Sequence, residues 1–319
     1  MKTINLNHKT IQELYYTKPF SFEKTFYNPS RYKSGLESFD GSNFCMSLRF
    51  KNEIFGLKFY IVANEQLIME IYSRNEISEE LNNQIKDEIS FRFSLNMDYS
   101  EFYAKYSSDK YLSGIIERNY GKHIGGLYSL YENLMISILL QNTTVKRTID
   151  MTYNLLNKYG VIIQFNSQTL YGLWLPHELN TSDEELRALK VGYRSKNILR
   201  INQYFTQNII SDSTYRELPI NELEKELLKI YGVGKQTVFY SMLGQFHVTG
   251  YLKHIPLWER KILSKYIFNE ELCEEKFIVN WFHDTYDNWC GFALSMIIED
   301  VFFIHRKNPI PWLKILLRE

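Results

Sequence analysis

The stretch that decides the fold is "IYGVGKQTV", Ile230 to Val238, in which two glycines flank a valine between two runs of helical character. The run before it, "INELEKELLKI", carries Leu223, Leu227 and Leu228 with flanking charges, and the run after it, "QTVFYSMLGQ", also reads as a helix. A nucleotide phosphate loop would follow a strand and carry the pattern G-x-x-x-x-G-K-[ST], and neither is present. The pattern therefore predicts a helix, a tight turn and a second helix.

This turn has two interpretations, and the turn alone leaves both open. Glycines let the chain bend tightly and leave exposed amide N–H groups at the start of the second helix. Such a helix start attracts an anion such as a phosphate, and a contact of this kind binds a nucleic-acid backbone without reading its sequence. Lys235 adds a cation at the same place. The other interpretation is a plain turn that joins two packed helices.

The composition limits the function classes. The chain has 319 residues, 45% of them hydrophobic, which is enough for two or three packed units. Lys+Arg and Asp+Glu both number 37, and this zero net charge argues against a nonspecific polyanion binder but leaves room for a local basic face. No apolar run reaches the ~18 residues of a membrane span, and no signal peptide is visible. Three scattered cysteines without a CxxC pair favour a reduced, cytoplasmic setting.

The pattern changes along the chain from strands to helices. "NFCMSLRF" alternates as a half-buried strand does, and "EIFGLKFYIVAN" and "EQLIMEIYS" continue as strands, so a small antiparallel sheet is predicted over about residues 15–75. From a helix cap at Ser78 onward, the sequence predicts almost only helices. We therefore expect an α+β fold, with a small N-terminal antiparallel sheet followed by two mostly helical subdomains. The predicted domains are 1–115 and 116–319, with the helix-hairpin-helix at 221–245.

Four motifs follow one another in a telling order. "ENLMISILLQNTTV" is followed after about 50 residues by "LKVGYRSKNILRI", then after about 40 by "LKIYGVGKQTV", and then by a helix bearing an arginine. This series resembles the helix-hairpin-helix DNA glycosylase superfamily, in which "ILxQ(Q/N)TS", "GxRxxKxxxI" and "LPGVGxxTA" appear in this order. "PFSFEKTF" and "SRYKSGLESFDG" look like the N-terminal sheet of its 3-methyladenine glycosylase II and 8-oxoguanine glycosylase branch. The resemblance covers most of the chain.

The resemblance implies a protein of base excision repair. It would bind double-stranded DNA with a damaged or modified base, extrude that base and cut its N-glycosidic bond. It also implies a DNA-backbone contact at the hairpin, a segment that fills the gap in the minor groove, two phosphate contacts, and aromatic walls of a base pocket at the interface of the two subdomains. The matching residues are Gly232, Val233, Gly234, Lys235, Gln236 and Thr237 for the backbone, Gln141, Asn142, Thr143 and Thr144 for the gap, Arg194 and Lys196 for phosphates, and Tyr193, Trp258, Trp281 and Phe282 for the pocket. No metal or organic cofactor is implied, although a monovalent cation on hairpin carbonyls would fit; we expect a monomer with no membrane association.

The catalytic residues depart from the family pattern. The lyase branch has its lysine nucleophile where this chain has Gln236, and Lys235 lies one residue earlier, about 100° away around a helix. Lyase activity is therefore not expected. The family's aspartate falls on Pro256 or, in the other alignment, on Ile255, and neither can hold a charge.

Two residues near this position could replace the aspartate. Glu259 is the only acid between Thr237 and Phe268 and lies about one helical turn after Pro256, and His254 is a second candidate. The sequence thus favours a monofunctional DNA N-glycosylase. It leaves open a catalytically silent DNA-binding protein on the same scaffold and, with less support, a helical protein unrelated to DNA. The recognised base also stays open among an alkylated purine, an oxidised guanine and a modified phage base.

Overall fold

The computed structural model describes residues 2–27 and 34–317, which fold into short sheets and many helices. Residues 30–33 of the quoted stretch "SRYKSGLESFDG" lie outside the described residues. The strands are β1 (Lys2–Asn5), β2 (His8–Leu14), β3 (Glu37–Phe39), β4 (Phe44–Phe50), β5 (Glu53–Ile61), β6 (Leu67–Ser73), β7 (Val161–Phe165) and β8 (Gln168–Gly172). The helices are α1 (Phe22–Phe26), α2 (Glu79–Arg92), α3 (Ser100–Tyr106), α4 (Ser113–Asn119), α5 (Leu130–Leu140), α6 (Val145–Tyr159), α7 (Asp183–Ala188), α8 (Arg194–Thr206), α9 (Asp212–Arg216), α10 (Ile220–Lys229), α11 (Lys235–Gly244), α12 (Leu257–Leu263), α13 (Glu275–Tyr286), α14 (Cys290–Lys307) and α15 (Pro311–Leu317). The predicted α+β class is confirmed.

The predicted N-terminal sheet has five antiparallel strands in the order β2-β6-β5-β4-β3. Phe44, Met46 and Leu48 are buried on one face of β4, as the alternating pattern predicts. The carboxylate of Asp40 closes the turn before β4 by accepting bonds from the amides of Ser42 and Asn43, at 2.9 and 2.7 Å. This local chemistry explains why the sheet could be found from the sequence.

The chain after residue 78 is mostly helical, as predicted, and the exception is a hairpin of β7 and β8 that pairs with β1. Its turn places Asn166 and Ser167 at positive φ, 43° and 61°, as a two-residue hairpin turn requires. This second sheet covers the other face of the first one, so that Cys45, which alternates with Phe44 and Met46 on β4, is also only 2% exposed. The two sheets enclose a cluster of apolar side chains, which are Leu6, Cys45, Ile54, Tyr72, Val161, Ile163, Phe165 and Leu170.

The described chain divides into two compact units. The first comprises residues 2–17, 34–96 and 126–233, and the second comprises residues 18–27, 97–125 and 234–317. The division falls between Val233 and Gly234, inside the hairpin. The predicted domain limits, 1–115 and 116–319, follow a different division and stay a prediction.

The first unit holds both sheets and the helices α2 and α5 to α10. Helix α5 is apolar nearly all round and is buried, as predicted for "YENLMISILLQ". Its one buried tyrosine is satisfied, since the hydroxyl of Tyr131 donates to Asn202 at 2.7 Å and accepts from the indole of Trp174 at 2.9 Å. A capping box of Ser129 and Glu132 begins the helix. Helix α5 is therefore held in a single position among its neighbours.

The second unit packs α1, α3, α4 and α11 to α15 around an aromatic core. The rings of Tyr99, Phe102 and Phe292 meet at centroid distances of 4.7 to 5.1 Å, and all three are fully buried. A buried carboxylate on α14, Asp300, receives two bonds from the guanidinium of Arg118 on α4, at 3.0 and 2.6 Å. The paired geometry compensates that carboxylate for its loss of water.

None of the helices in residues 2–27 and 34–317 has the length and apolar character to cross a bilayer. In the same residues, no group of three or more His, Cys, Asp and Glu side chains is arranged to hold a metal ion. The cysteines Cys45, Cys273 and Cys290 are all free thiols.

The close approach of the two sheets predicts a sharp penalty for Gly56→Ala. A Cβ at Gly56 would lie 2.4 Å from the ring of Phe165, which is 4% exposed and cannot move aside. The substitution should lower the free energy of unfolding by about 1–3 kcal/mol, measured by urea denaturation. The matched control is Gly244→Ala in α11, where a Cβ would meet nothing within 4 Å. That change should be neutral or stabilise by up to about 1 kcal/mol, and equal effects of the two substitutions would contradict the packing argument.

Candidate nucleic-acid interface and buried carboxyl

The hairpin has the predicted helix-turn-helix form. Helix α10 ends at Lys229, the chain turns through residues 230–234, and α11 begins at Lys235. Gly232 has φ +87°, a left-handed conformation that residues with a Cβ adopt only at a cost. Val233 donates its amide to the carbonyl of Ile230 at 3.0 Å, which closes the bend. The glycine at 232 is therefore required by the turn.

Two neighbouring helices hold Gly232 in place. The side-chain amide of Gln141, directly after α5, donates to the carbonyl of Gly232 at 2.7 Å. A Cβ on Gly232 would lie 2.6 Å from the amide nitrogen of Asn197 on α8 and 3.1 Å from Ile138 on α5. The first half of the hairpin is thus wedged between α5 and α8. Two of its carbonyls, those of Ile230 and Gly232, already accept hydrogen bonds, and the monovalent cation stays a prediction.

The second half of the hairpin is an open helix start. Gly234 occupies the N-cap of α11 with φ −112° and ψ 177°, and no side chain caps the helix. Gly234, Lys235 and Gln236 are exposed, whereas Val233 and Thr237 are buried. The first amides of a helix have no partner within it, so the uncapped start of α11 presents donors toward solvent beside the ammonium of Lys235. Of the six residues predicted to contact the backbone, Gly234, Lys235 and Gln236 are therefore the exposed ones.

The segment from Gln141 to Thr144 joins α5 to α6, and its four residues make different contacts. Gln141 supports the hairpin, as described, and Thr144 caps α6 by accepting from the amide of Arg147. Asn142 has φ +48°, is exposed, and donates to the hydroxyl of Tyr193 at 3.4 Å. Asn142 and the 51% exposed Tyr193 are thus a polar and aromatic pair on the surface of the first unit. Thr143 is half-buried between them and the cap. Their role at DNA stays a prediction.

The structure does not support the phosphate contact that was predicted for Arg194. Arg194 is 3% exposed, and its guanidinium donates to the carbonyls of Ile138, Val191 and Gln141. It therefore supplies partners for the last carbonyls of α5, which would otherwise lack them. Burial also lowers the pKa of this guanidinium. Lys196, two residues later, is exposed, and its predicted contact with phosphate stays a prediction.

Glu259 is the unusual ionisable group of the second unit. Pro256 occupies the N-cap of α12, and Glu259 in the first turn of that helix is only 2% exposed. One carboxylate oxygen, Oε1, accepts a short hydrogen bond from the hydroxyl of Tyr240 on α11. The other oxygen, Oε2, has no hydrogen-bond partner among the described residues. A buried carboxyl with one unpaired oxygen is costly to ionise, and burial raises the pKa of Glu259 to about 7, against the lowering effect of the Tyr240 bond.

Tyr240 links this carboxyl to the hairpin helix. It lies one turn after Gln236 on α11, and the nearby Gln236 side chain lowers its pKa. Desolvation and then the nearby Glu259 raise that pKa by more, so the hydroxyl of Tyr240 stays protonated and donates. The structure thus joins Tyr240 on α11 to Glu259 on α12 by one hydrogen bond. Sequence reasoning did not identify Tyr240, although its i+4 spacing from Gln236 was a signal that could have done so.

The side chain of His254 contacts Glu275 and not Glu259. Its Nδ1 lies 2.6 Å from Oε1 of Glu275 at the start of α13, and the same oxygen accepts the amide of Ile255 at 3.1 Å. These contacts fix the loop before α12 to α13. Among the described contacts, none joins His254 to Glu259, so a catalytic role for His254 has no geometric support.

The aromatic residues predicted as pocket walls are of two kinds. Phe282 is fully buried, and Trp281 packs edge-on against Phe268 and Tyr286 at 5.3 and 5.6 Å. Phe282 belongs to the core of the second unit, which corrects its prediction as a wall. Trp281 is half-buried, and its role as a wall stays a prediction. Trp258 is half-buried on α12 with its ring 6.0 Å from Phe302, and its role as a wall stays a prediction along with that of Tyr193.

Known proteins share this architecture. The chain superposes on a 3-methyladenine DNA glycosylase of Archaeoglobus fulgidus with a TM-score of 0.74 at 15% identity, covering 92% of this chain and 99% of that one. It superposes on a Clostridium acetobutylicum 8-oxoguanine glycosylase/lyase, solved with DNA containing cytosine opposite 8-oxoguanine, with a TM-score of 0.68 at 18% identity over 94% and 99% of the chains.

A sequence relative points the same way. A DNA-3-methyladenine glycosylase of Bacillus subtilis (strain 168) is 22% identical over 187 residues, which are 57% of this chain and 61% of that protein. No protein-family model matches the chain. The fold is therefore the one that these DNA glycosylases have, and the resemblance predicted from the four motifs is confirmed.

The two hairpin glycines should respond differently to alanine. Gly232→Ala adds a Cβ in a left-handed conformation and against Asn197, so we expect it to lower the free energy of unfolding by about 2 kcal/mol or more. Gly234→Ala, which is extended and meets nothing within 4 Å, should change it by less than about 0.5 kcal/mol. Chemical denaturation of both variants measures this, and equal losses would contradict the wedged geometry of Gly232.

Because the pKa of Glu259 is raised, we expect Glu259→Gln to increase the free energy of unfolding by an amount that depends on pH. The folded carboxyl, with a pKa of about 7, binds its proton more tightly than an unfolded glutamate does, with a pKa of about 4.3. Its contribution to stability is therefore fully present below the unfolded pKa and is lost as the pH rises from there through 7, by about 4 kcal/mol in all. At pH 8 the variant should be more stable than the wild type by up to that amount, and near pH 4 the difference should vanish.

Denaturation curves at several pH values between about 4 and 8 would test this. The matched control is Glu271→Gln, since Glu271 is exposed in the same unit and its loss should leave the free energy unchanged at each pH. A stability difference for Glu259→Gln that is constant across this range would show that Glu259 is not the titrating group.

Proposed function

We propose that the protein is a monofunctional DNA N-glycosylase in which Glu259 supplies the carboxylate. The observation that carries the proposal is a buried carboxyl, with one unpaired oxygen and a pKa of about 7, in a chain with the fold of known DNA glycosylases. Titratable groups whose pKa is shifted toward neutrality are concentrated at catalytic sites. The relatives' names support the class of reaction, and the residues of this chain support the way it would proceed.

The hairpin would hold the DNA. The exposed amides at the start of α11 are donors for a phosphate, and Lys235 adds a positive charge beside them. The rigid support of Gly232 by Gln141 and Asn197 lowers the cost of ordering the turn on binding. Because such contacts go to the backbone, they would position the duplex without selecting a sequence. Asn142 would lie at the minor groove, where it could fill the gap left by an extruded base, and its partner Tyr193 would be a wall of the base pocket.

Glu259 would act on the sugar of the extruded nucleotide. In its ionised form it would stabilise the positive charge that develops on the sugar as the bond to the base breaks and the bonding electrons leave with the base. The unpaired Oε2 would accept a proton from the water whose oxygen bonds to C1′. Tyr240 would hold Oε1 and so orient the carboxylate. A base with a pKa near the working pH is suited to this task.

The hairpin helix explains why we propose hydrolysis alone. Formation of a Schiff base needs a lysine amine, and the position used in the lyase branch is occupied here by Gln236, which has none. Lys235 is exposed and about 100° away around the helix. Water is then the remaining nucleophile.

A second candidate is a silent DNA-binding protein on the same scaffold. The specific observation in its favour is the 2% exposure of Glu259, together with the proline at the N-cap of α12. In that case the carboxyl would be only a structural partner of Tyr240.

Base excision measured in single turnovers separates the two candidates. We expect the wild type to release a base from one of a panel of duplexes carrying alkylated, oxidised or otherwise modified bases, with a rate that rises as the pH passes through about 7. Glu259→Gln should slow release of the nucleobase by about 10²-fold or more. The substitution removes the catalytic carboxylate but keeps the shape of the side chain. Binding to a duplex with an abasic-site analogue should change little.

Two controls make the result decisive. Glu271→Gln, an exposed glutamate changed in the same way, should excise as the wild type does. Strand breaks should appear only after alkali, since no lyase step is proposed. If duplex binding is retained but no base on the panel is released, the silent DNA-binding protein is the better description, and full activity of Glu259→Gln would remove Glu259 from the mechanism.

A further inference from the structure

An exposed tyrosine stands directly before the hairpin glycines. The motif that this chain resembles, "LPGVGxxTA", has a proline where the chain has Tyr231. Tyr231 is 42% exposed, so it is not part of the core of the first unit. A large ring left at the surface beside an anion-attracting turn needs another explanation than packing.

The guanidinium of an arginine stacks on the ring of Tyr231. The guanidinium carbon of Arg200, on α8, lies 3.8 Å from the centre of the ring. Arg200 is exposed and makes no ion pair among the described residues, whereas Arg187 is paired with Asp183 at 2.6 Å and Arg216 with Glu88 at 2.7 Å. Stacking on an aromatic face orders a guanidinium and leaves the N–H donors at its edge free for an anion.

The position of α8 places this arginine beside the hairpin. Asn197, one turn before Arg200 on α8, is the residue against which Gly232 packs. Lys196, one turn before Arg200 on the exposed side, adds a second cation to the same helix. The Arg200–Tyr231 pair therefore extends the first half of the hairpin with a fixed positive charge.

We propose that the stacked pair of Arg200 and Tyr231 is a phosphate contact for duplex DNA, additional to the hairpin amides. The partner is the sugar-phosphate backbone, because a planar guanidinium with free edge donors matches phosphate oxygens and no carboxylate of the described residues forms an ion pair with Arg200. The proposal rests on the DNA binding in the proposed function but not on its chemistry. Arg200 would supply the positive charge, and the ring of Tyr231 would hold the guanidinium in place.

The salt dependence of binding to a short undamaged duplex tests the contact. Each neutralised phosphate contributes about 0.9 to the slope of log K against log salt between about 50 and 200 mM. Arg200→Gln should therefore reduce the slope by about 0.9 and weaken binding by roughly three- to tenfold. Arg200→Lys should keep the slope. Tyr231→Leu should weaken binding without changing the slope, since the charge remains, and Tyr231→Phe should bind as the wild type does.

The matched control is Arg187→Gln, in the same unit, which removes an arginine already paired with Asp183 and should leave both slope and affinity unchanged. Thermal unfolding of each variant confirms that it is folded. A folded Arg200→Gln variant with the wild-type slope and affinity would overturn the contact while excision by the wild type still supports the enzyme. A reduced slope in a protein that excises nothing would support the contact and count against the enzyme. Failure of the wild type to bind any duplex would overturn both.

Discussion

The left-handed backbone at Gly232 is the constraint on which the rest of the candidate interface depends. Its φ of +87° turns the chain from α10 toward α11, and the contacts of Gln141 and Asn197 hold it there. These contacts come from α5 and α8, which are themselves joined through Arg194. A turn fixed in this way presents its amides and the neighbouring Tyr231 in one arrangement before any ligand arrives, so that little order has to be gained on binding.

The buried carboxyl of Glu259 lowers the stability of the fold, and the proposed reaction would explain why it is there. Glu259 would be more cheaply replaced by an apolar residue, since one of its oxygens has no partner and ionising it in the core is unfavourable. The bond from Tyr240 compensates only part of this cost and leaves the pKa near 7. A side chain that destabilises the protein at neutral pH, beside the helix of the hairpin, is more readily explained by a reaction than by packing.

The sequence predicted the parts of the molecule that depend on local patterns. Alternation identified the sheet around β4, caps identified the starts of helices, and the two glycines identified the hairpin. What it did not reveal depends on burial and on distant contacts. The strands β7 and β8 are five residues each, too short for a period to separate them from the surrounding helices. Arg194 resembles a phosphate ligand in the sequence, and only its position under the end of α5 shows that its donors are already used. The pairing of Glu259 with Tyr240 joins two helices and has no signal in either one alone.

The zero net charge of the chain agrees with a local DNA interface once the individual charges are placed. Several arginines serve the protein's own carboxylates: Arg92 and Arg216 bind Glu88, and Arg118 binds Asp300. These pairs cancel within the fold and exert little attraction at a distance. The cations left without an ion pair among the described residues include Lys196 and Arg200 on α8 and Lys235 at the start of α11. A zero net charge is therefore compatible with local positive charge on α8 and at the start of α11, where a phosphate backbone could bind.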